Sequence, residues 1–142
     1  ISNVSTSYKT SYGSEKTYEF SQDDKKTLFT SGIVLNFNIS DTFSGINKDT
    51  LMVTWGDETE PRTVKVNEDG TCSIELNSTD TKNGNVVNIL VEDNAGNDIE
   101  YSFNLTIDNH FWIYVAIAAF ILIALFVIVI LVIKAKKSKK DE

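Results

Sequence analysis

The chain has 142 residues and a formal net charge of −7, with one Cys, one His and one Pro. A lone Cys excludes an internal disulfide, one Cys and one His argue against a His/Cys metal site or a Cys–His nucleophile, and the sign of the charge disfavours nucleic acid. The average hides a division. Residues 1–109 carry eight Lys/Arg and eighteen Asp/Glu, a net of −10; residues 111–133 carry no charge; the tail from 134 carries five Lys and two acids, a net of +3.

The chain opens on Ile1 with no basic segment and apolar run behind it, so no signal peptide is read there. A membrane-anchored protein normally needs one, and the expectation is that these residues form the C-terminal piece of a longer chain. From there to residue 109 the pattern is one of short alternating runs separated by turn residues, which is the signature of strands. Residues 1–6 and Thr17–Phe20 are candidate strands. Ile33, Leu35, Phe37 and Ile39 mark one inward face; Leu51, Val53 and Trp55 mark a second; Val64 and Val66 flank Lys65. Cys72, Ile74 and Leu76 follow, then Val87, Ile89 and Val91, then Ile99, Tyr101, Phe103, Leu105 and Ile107. The intervening segments 41–45, 56–58, 67–70, 77–84 and 93–97 each offer Gly, Asn or Asp, which accept positive φ or bond their own backbone. Short strands at this spacing predict an all-β, two-sheet sandwich of about seven strands over residues 1–109, each sheet burying one face. Phe37, Tyr101 and Phe103 are expected in its core, and Cys72 there as a small hydrophobe.

The runs Asn36-Phe37-Asn38-Ile39-Ser40-Asp41, Ser44-Gly45-Ile46 and Val91-Glu92-Asp93-Asn94-Ala95-Gly96-Asn97 resemble the tandem immunoglobulin-like modules of large microbial cell-surface proteins. Ile1-Ser2-Asn3-Val4 is similar to the first strand of such a module, and the resemblance covers about residues 1–108. It implies an immunoglobulin-like sandwich with an adhesive or stalk role. The chain departs from antibody-type domains in lacking the Cys–Trp–Cys pattern and a Tyr for the tyrosine corner. Trp55-Gly56-Asp57 resembles the Trp and Gly-Asp of PKD-type modules, which are also sandwiches.

Asp41, Asp93, Asn94, Asn97 and Asp98 form a loop cluster of oxygens of the kind that binds Ca²⁺, but the spacing matches no EF-hand loop and such runs are usually turns. Asn3, Asn38, Asn77 and Asn104 begin Asn-x-Ser/Thr sequons, candidate glycan acceptors in a eukaryotic secretory context. Asn38 and Asn104 fall on the solvent face of strands; Asn77, at the start of a loop, is the best placed. No catalytic constellation and no cofactor pattern is present: a Ser-His-Asp triad would have to use His110 beside the apolar run.

Residues 111–133 are twenty-three uninterrupted apolar residues. As a helix they extend about 35 Å, enough for a hydrocarbon core of roughly 30 Å with some tilt. A transmembrane helix is expected over 110–133, with Trp112 and Tyr114 at one interface and Lys134, Lys136 and Lys137 at the other, and a lysine-rich tail over 134–142. Lysine asymmetry predicts that the tail is cytoplasmic and the acidic module outside. A sortase-type wall signal is missing, since the one Pro is Pro61, and a glycolipid-anchor signal would end in its apolar run. Lys139 and Lys140 resemble a dilysine retrieval signal of the endoplasmic reticulum, an alternative to the plasma membrane. The function expected is a membrane-proximal structural or adhesive module whose partners are the lipid bilayer and, through upstream domains, extracellular proteins or glycans. The alternative is a single-pass receptor fragment whose partner subunits signal for it, and an enzyme with its catalytic domain upstream is a third class. The tail itself has no Tyr and one Ser, Ser138.

Overall fold

The computed structural model describes residues 1–78 and 85–142. Among them, nine strands precede one helix: β1 (Ser2–Lys9), β2 (Glu15–Glu19), β3 (Lys25–Leu28), β4 (Gly32–Asn38), β5 (Ile46–Trp55), β6 (Lys65–Val66), β7 (Thr71–Asn77), β8 (Val86–Asp93), β9 (Asp98–Ile107) and α1 (Phe111–Lys140). One sheet has the order β2-β1-β4-β7-β6 and the other β3-β9-β8-β5. The chain divides into two units, Ile1–Asn109 and His110–Glu142. Most of the turn expected over 77–84 lies outside the described residues.

The count of nine corrects the expectation of about seven. β3 is the strand that periodicity missed: Lys25-Lys26-Thr27-Leu28 has one buried apolar residue, Leu28. It is a strand because it pairs in parallel with β9, from Lys25 opposite Asn104 to Leu28 opposite Ile107. The pairing is tertiary, and local alternation cannot report it.

Period-two alternation places the inward residues where the sequence puts them. Ile33, Leu35, Phe37 and Ile39 are buried while Val34 and Asn36 face out. Val53, Trp55, Cys72, Ile74, Leu76, Val87, Ile89, Val91, Phe103, Leu105 and Ile107 are buried with them in one core drawn from both sheets. Leu51, Val64, Val66, Ile99 and Tyr101 are only partly buried against it. Phe20, just past β2, stacks on Phe103 of the opposite sheet with ring centroids 4.4 Å apart. The Tyr101 hydroxyl donates to the Phe20 carbonyl at 2.7 Å, which fixes the chain where it crosses between sheets. Buried hydroxyls are satisfied: Thr6 Oγ1 donates to the Val34 carbonyl and Thr30 Oγ1 to that of Lys9, both at 2.8 Å. At the edge strand β5, Arg62 N donates to the Val53 carbonyl at 2.8 Å, Trp55 N donates to Glu58 Oε2 at 3.0 Å, and Arg62 pairs with Glu58. The segment from Glu58 to Arg62 thereby covers backbone that an edge otherwise offers to other chains.

Register fixes which loops share an end of the β unit. Ser2 pairs with Asn38, Ile39 N donates to the Gly70 carbonyl, and Asn94 N donates to the Gly45 carbonyl. The chain start, loop 40–45, turn 67–70 and turn 94–97 therefore lie together. At the other end Leu28 pairs with Ile107, Asp108 N donates to the Leu28 carbonyl, and Ser11 N donates to the Phe29 carbonyl. The chain enters the β unit at one end and leaves it at the other.

Candidate functional site

The segments that carry the family resemblance touch each other. Loop 40–45 follows β4, and the turn after Asp93 joins β8 to β9. Asp41 accepts from Phe43 N at 3.1 Å and from Ser44 N at 3.0 Å, and the Ser44 hydroxyl lies against its Oδ2. The same hydroxyl lies 3.0 Å from Asp93 Oδ2, so one proton serves two carboxylates. Asp93 also accepts from Ala95 N at 2.9 Å, Asn97 N at 2.8 Å and Asn97 Nδ2 at 2.7 Å. Asn94 closes the arrangement by donating Nδ2 to the Ser44 carbonyl at 2.9 Å. Asp and Asn suit these places because their short side chains accept from amides two to four residues on.

The structure thus brings together Asp41, Asp93, Asn94 and Asn97 of the calcium candidates, with Ser44 as the bridge that sequence reasoning missed. Asp98 is exposed at the first position of β9, in register with Glu92. The carboxylate oxygens are engaged as acceptors within the two loops. Among the described residues, no group of three or more His, Cys, Asp or Glu side chains is placed to hold a metal ion.

The hydrogen bonds set the acidity of both carboxyls. Asp93 is held down to about 2, first by the Asn97 side chain, then by the Asn97 amide, with Ser44 and Ala95 assisting. Asp41 is lowered by Ser44 and by the amides of Phe43 and Ser44, against the repulsion of Asp93. A carboxyl depressed in the folded state supplies stability that is complete above its unfolded pKa, about 3.9, and is lost as pH falls through the folded value. The wild-type chain is therefore expected to lose urea resistance between about pH 4 and pH 2. Asp93→Asn should lower the midpoint at pH 7 and flatten that acid limb. Parallel pH profiles for the two chains would show that Asp93 contributes nothing to it.

The four sequons divide by exposure. Asn3 is exposed at φ 52°, in the irregularity that interrupts β1–β4 pairing between Ser2 and Ser5. Asn77 is exposed at the last position of β7, and the Thr79 of its sequon lies outside the described residues. Asn38, the last residue of β4, and Asn104, between β3 and β8 in the sheet, lie on the outward parity of their strands, as expected, but are half-buried there. Cys72 is buried, and burial raises its thiol pKa.

The helix α1 is long and apolar enough to cross a membrane, with a mean hydropathy of 3.5 and none of that stretch buried. It begins at Phe111, as the apolar run does, and continues past Ile133 to Lys140, so most of the expected tail is helical. Trp112 and Tyr114 are exposed in its first turn, and Lys134, Lys136 and Lys137 are exposed near its other end. Lys137, Lys139 and Lys140 fall in the last turn, where cations complement the carbonyl end of the helix dipole. Compared with known proteins, the chain matches no family model, no curated protein and no solved structure.

Proposed function

We propose that this chain is the membrane-proximal module of a larger cell-surface protein: an immunoglobulin-like sandwich held outside the plasma membrane by α1, with its lysine-rich end in the cytoplasm, serving as a spacer or adhesive stalk. The observation that carries the reading is the route of the chain. It enters the β unit at one end, leaves at the other, and after three intervening residues begins a thirty-residue helix with no buried residue. Such a route suits a segment that holds upstream domains away from a bilayer.

Strand order supports the immunoglobulin-like part of the proposal. With β2 and β3 set aside, seven strands remain. In chain order they run first-second-fifth-fourth in one sheet and seventh-sixth-third in the other. The constant-type immunoglobulin arrangement, ABED facing GFC, has this order. β2 and β3 are then an excursion between the first and second strands. The lysine asymmetry favours the stated orientation. The dipole complement at the helix end accounts for Lys139 and Lys140 without a retrieval signal.

The test is to express the chain with a C-terminal tag. It should resist alkaline carbonate extraction, and protease added to intact cells should remove the β unit and spare the tag. Release by carbonate would end the anchor reading, and loss of the tag would reverse the orientation.

A further inference from the structure

Phe43 is 98% exposed, whereas Tyr12 at 42% and Phe29 at 37% are the next most open aromatic rings of the β unit. An apolar ring held in water on a flexible loop would be unremarkable, but this ring stands on a braced one. Its own amide and both neighbouring polar groups of Ser44 are bonded to Asp41, Ser44 bridges to Asp93, and Asn94 ties down the carbonyls of Ser44 and Gly45. Gly45, at φ +75°, turns the chain back toward β5 immediately behind it. The loop holds its shape by bonds that do not involve the ring, so docking the ring sacrifices little further backbone freedom.

Its surroundings define what fits it. Asp41, Glu68, Asp69, Glu92, Asp93 and Asp98 lie at the same end of the β unit. Lys48, set among them, donates to the carbonyls of Asn67 and Glu68, both at 3.1 Å. An apolar ring at an end of the β unit rich in carboxylates complements a surface with an apolar pocket bordered by Lys or Arg, and that charge repels a second copy of the same end. The aromatic supplies the buried contact and the carboxylates supply selectivity and rate of encounter.

We infer that Phe43 and the carboxylates at its end of the β unit form a docking surface for a partner protein that presents a cationic-rimmed apolar pocket. The surface stands on the geometry of the β unit alone and does not depend on the orientation of α1. One ring covers only part of the roughly 800 Å² per partner that a standard interface buries, so the contact is expected to be weak and to gain from multiple copies.

The experiment holds the full chain in lipid nanodiscs and pans a phage-displayed library of random dodecapeptides against it, with counter-selection on Phe43→Ser. The expected result is enrichment of peptides that combine Lys or Arg with apolar residues. They should bind the wild-type chain at least tenfold more tightly than Phe43→Ser and weaken as salt rises. The melting temperature of Phe43→Ser should equal that of the wild type, because the ring supports nothing in the fold. The inference is overturned if no peptide separates the two chains, if those that do are acidic or insensitive to salt, or if Phe43→Ser unfolds earlier. It is also overturned if self-association of the chain disappears with Phe43, since the occupant is then a second copy.

Discussion

Phe37→Ala is expected to remove about 3–5 kcal/mol of stability, the usual cost of emptying a fully buried phenylalanine site. Phe37 is 1% exposed and sits in β4, the middle strand of its sheet, paired with Cys72 of β7. Strands on both sides and a facing sheet leave little room for the cavity to collapse, which puts the cost toward the upper end of the range. Domains of this size are stable by about 5–15 kcal/mol in total, so the variant stands near the edge of folding. Val34 lies on the other parity of the same strand and is exposed. Val34→Ala should therefore change stability by less than about 0.5 kcal/mol. Urea denaturation of the micelle-held chain, followed by near-ultraviolet circular dichroism, measures both. A reversal of the two costs would mean that β4 is slipped by one residue, because a single step exchanges its faces.

Gly70→Ala is expected to be strongly destabilising, and clearly more so than Gly13→Ala. Gly70 closes the turn between β6 and β7 at φ +84°, and a Cβ there would stand 2.5 Å from the Ile39 carbonyl oxygen. The left-handed backbone alone costs a non-glycine residue on the order of 1–3 kcal/mol. Relieving the clash must also move Ile39, whose amide donates to the Gly70 carbonyl at 2.9 Å. Gly13 separates the two contributions. It has a similar φ of +91°, but a Cβ there meets nothing within 4 Å. Gly13→Ala should show the backbone cost alone and Gly70→Ala clearly more. Equal losses would mean that the approach of Ile39 relaxes without penalty.

Much of this fold is legible in the alternation of polar and apolar residues. Where one face of a strand meets the core and the other meets water, the polarity of successive residues records it, as in β4, β7, β8 and β9. β3 leaves no such record, because one buried leucine gives no period, and its reason for being extended is a parallel neighbour about eighty residues away. The apolar run marks the start of α1 for a different reason: helix in lipid needs no alternation, only unbroken hydrophobicity. Its end at Lys140 is less visible, since the change of composition at Lys134 is a change of surroundings and not of backbone. The loop site is half legible. The Asp and Asn of both loops stand out as clustered oxygens, yet only the fold sets the Ser44 hydroxyl between carboxylates of two loops, one of them 49 residues away. Phe43 passes unmarked in a turn, because sequence alone does not tell an exposed ring from a buried one.

The parallel partnership of β3 and β9 sets how the β unit would answer a pull on its two chain ends. Tension between the chain start and α1 draws β9 lengthwise out of its sheet, past β3 on one side and β8 on the other. The bonds joining β9 to these neighbours lie across the direction of pull, so they are strained together and must give way nearly at once. The same holds for β1, drawn the opposite way between β2 and β4. A strand peeled from one end would surrender its bonds singly and at low force. Pulled in shear from opposite ends, this module resists as a unit.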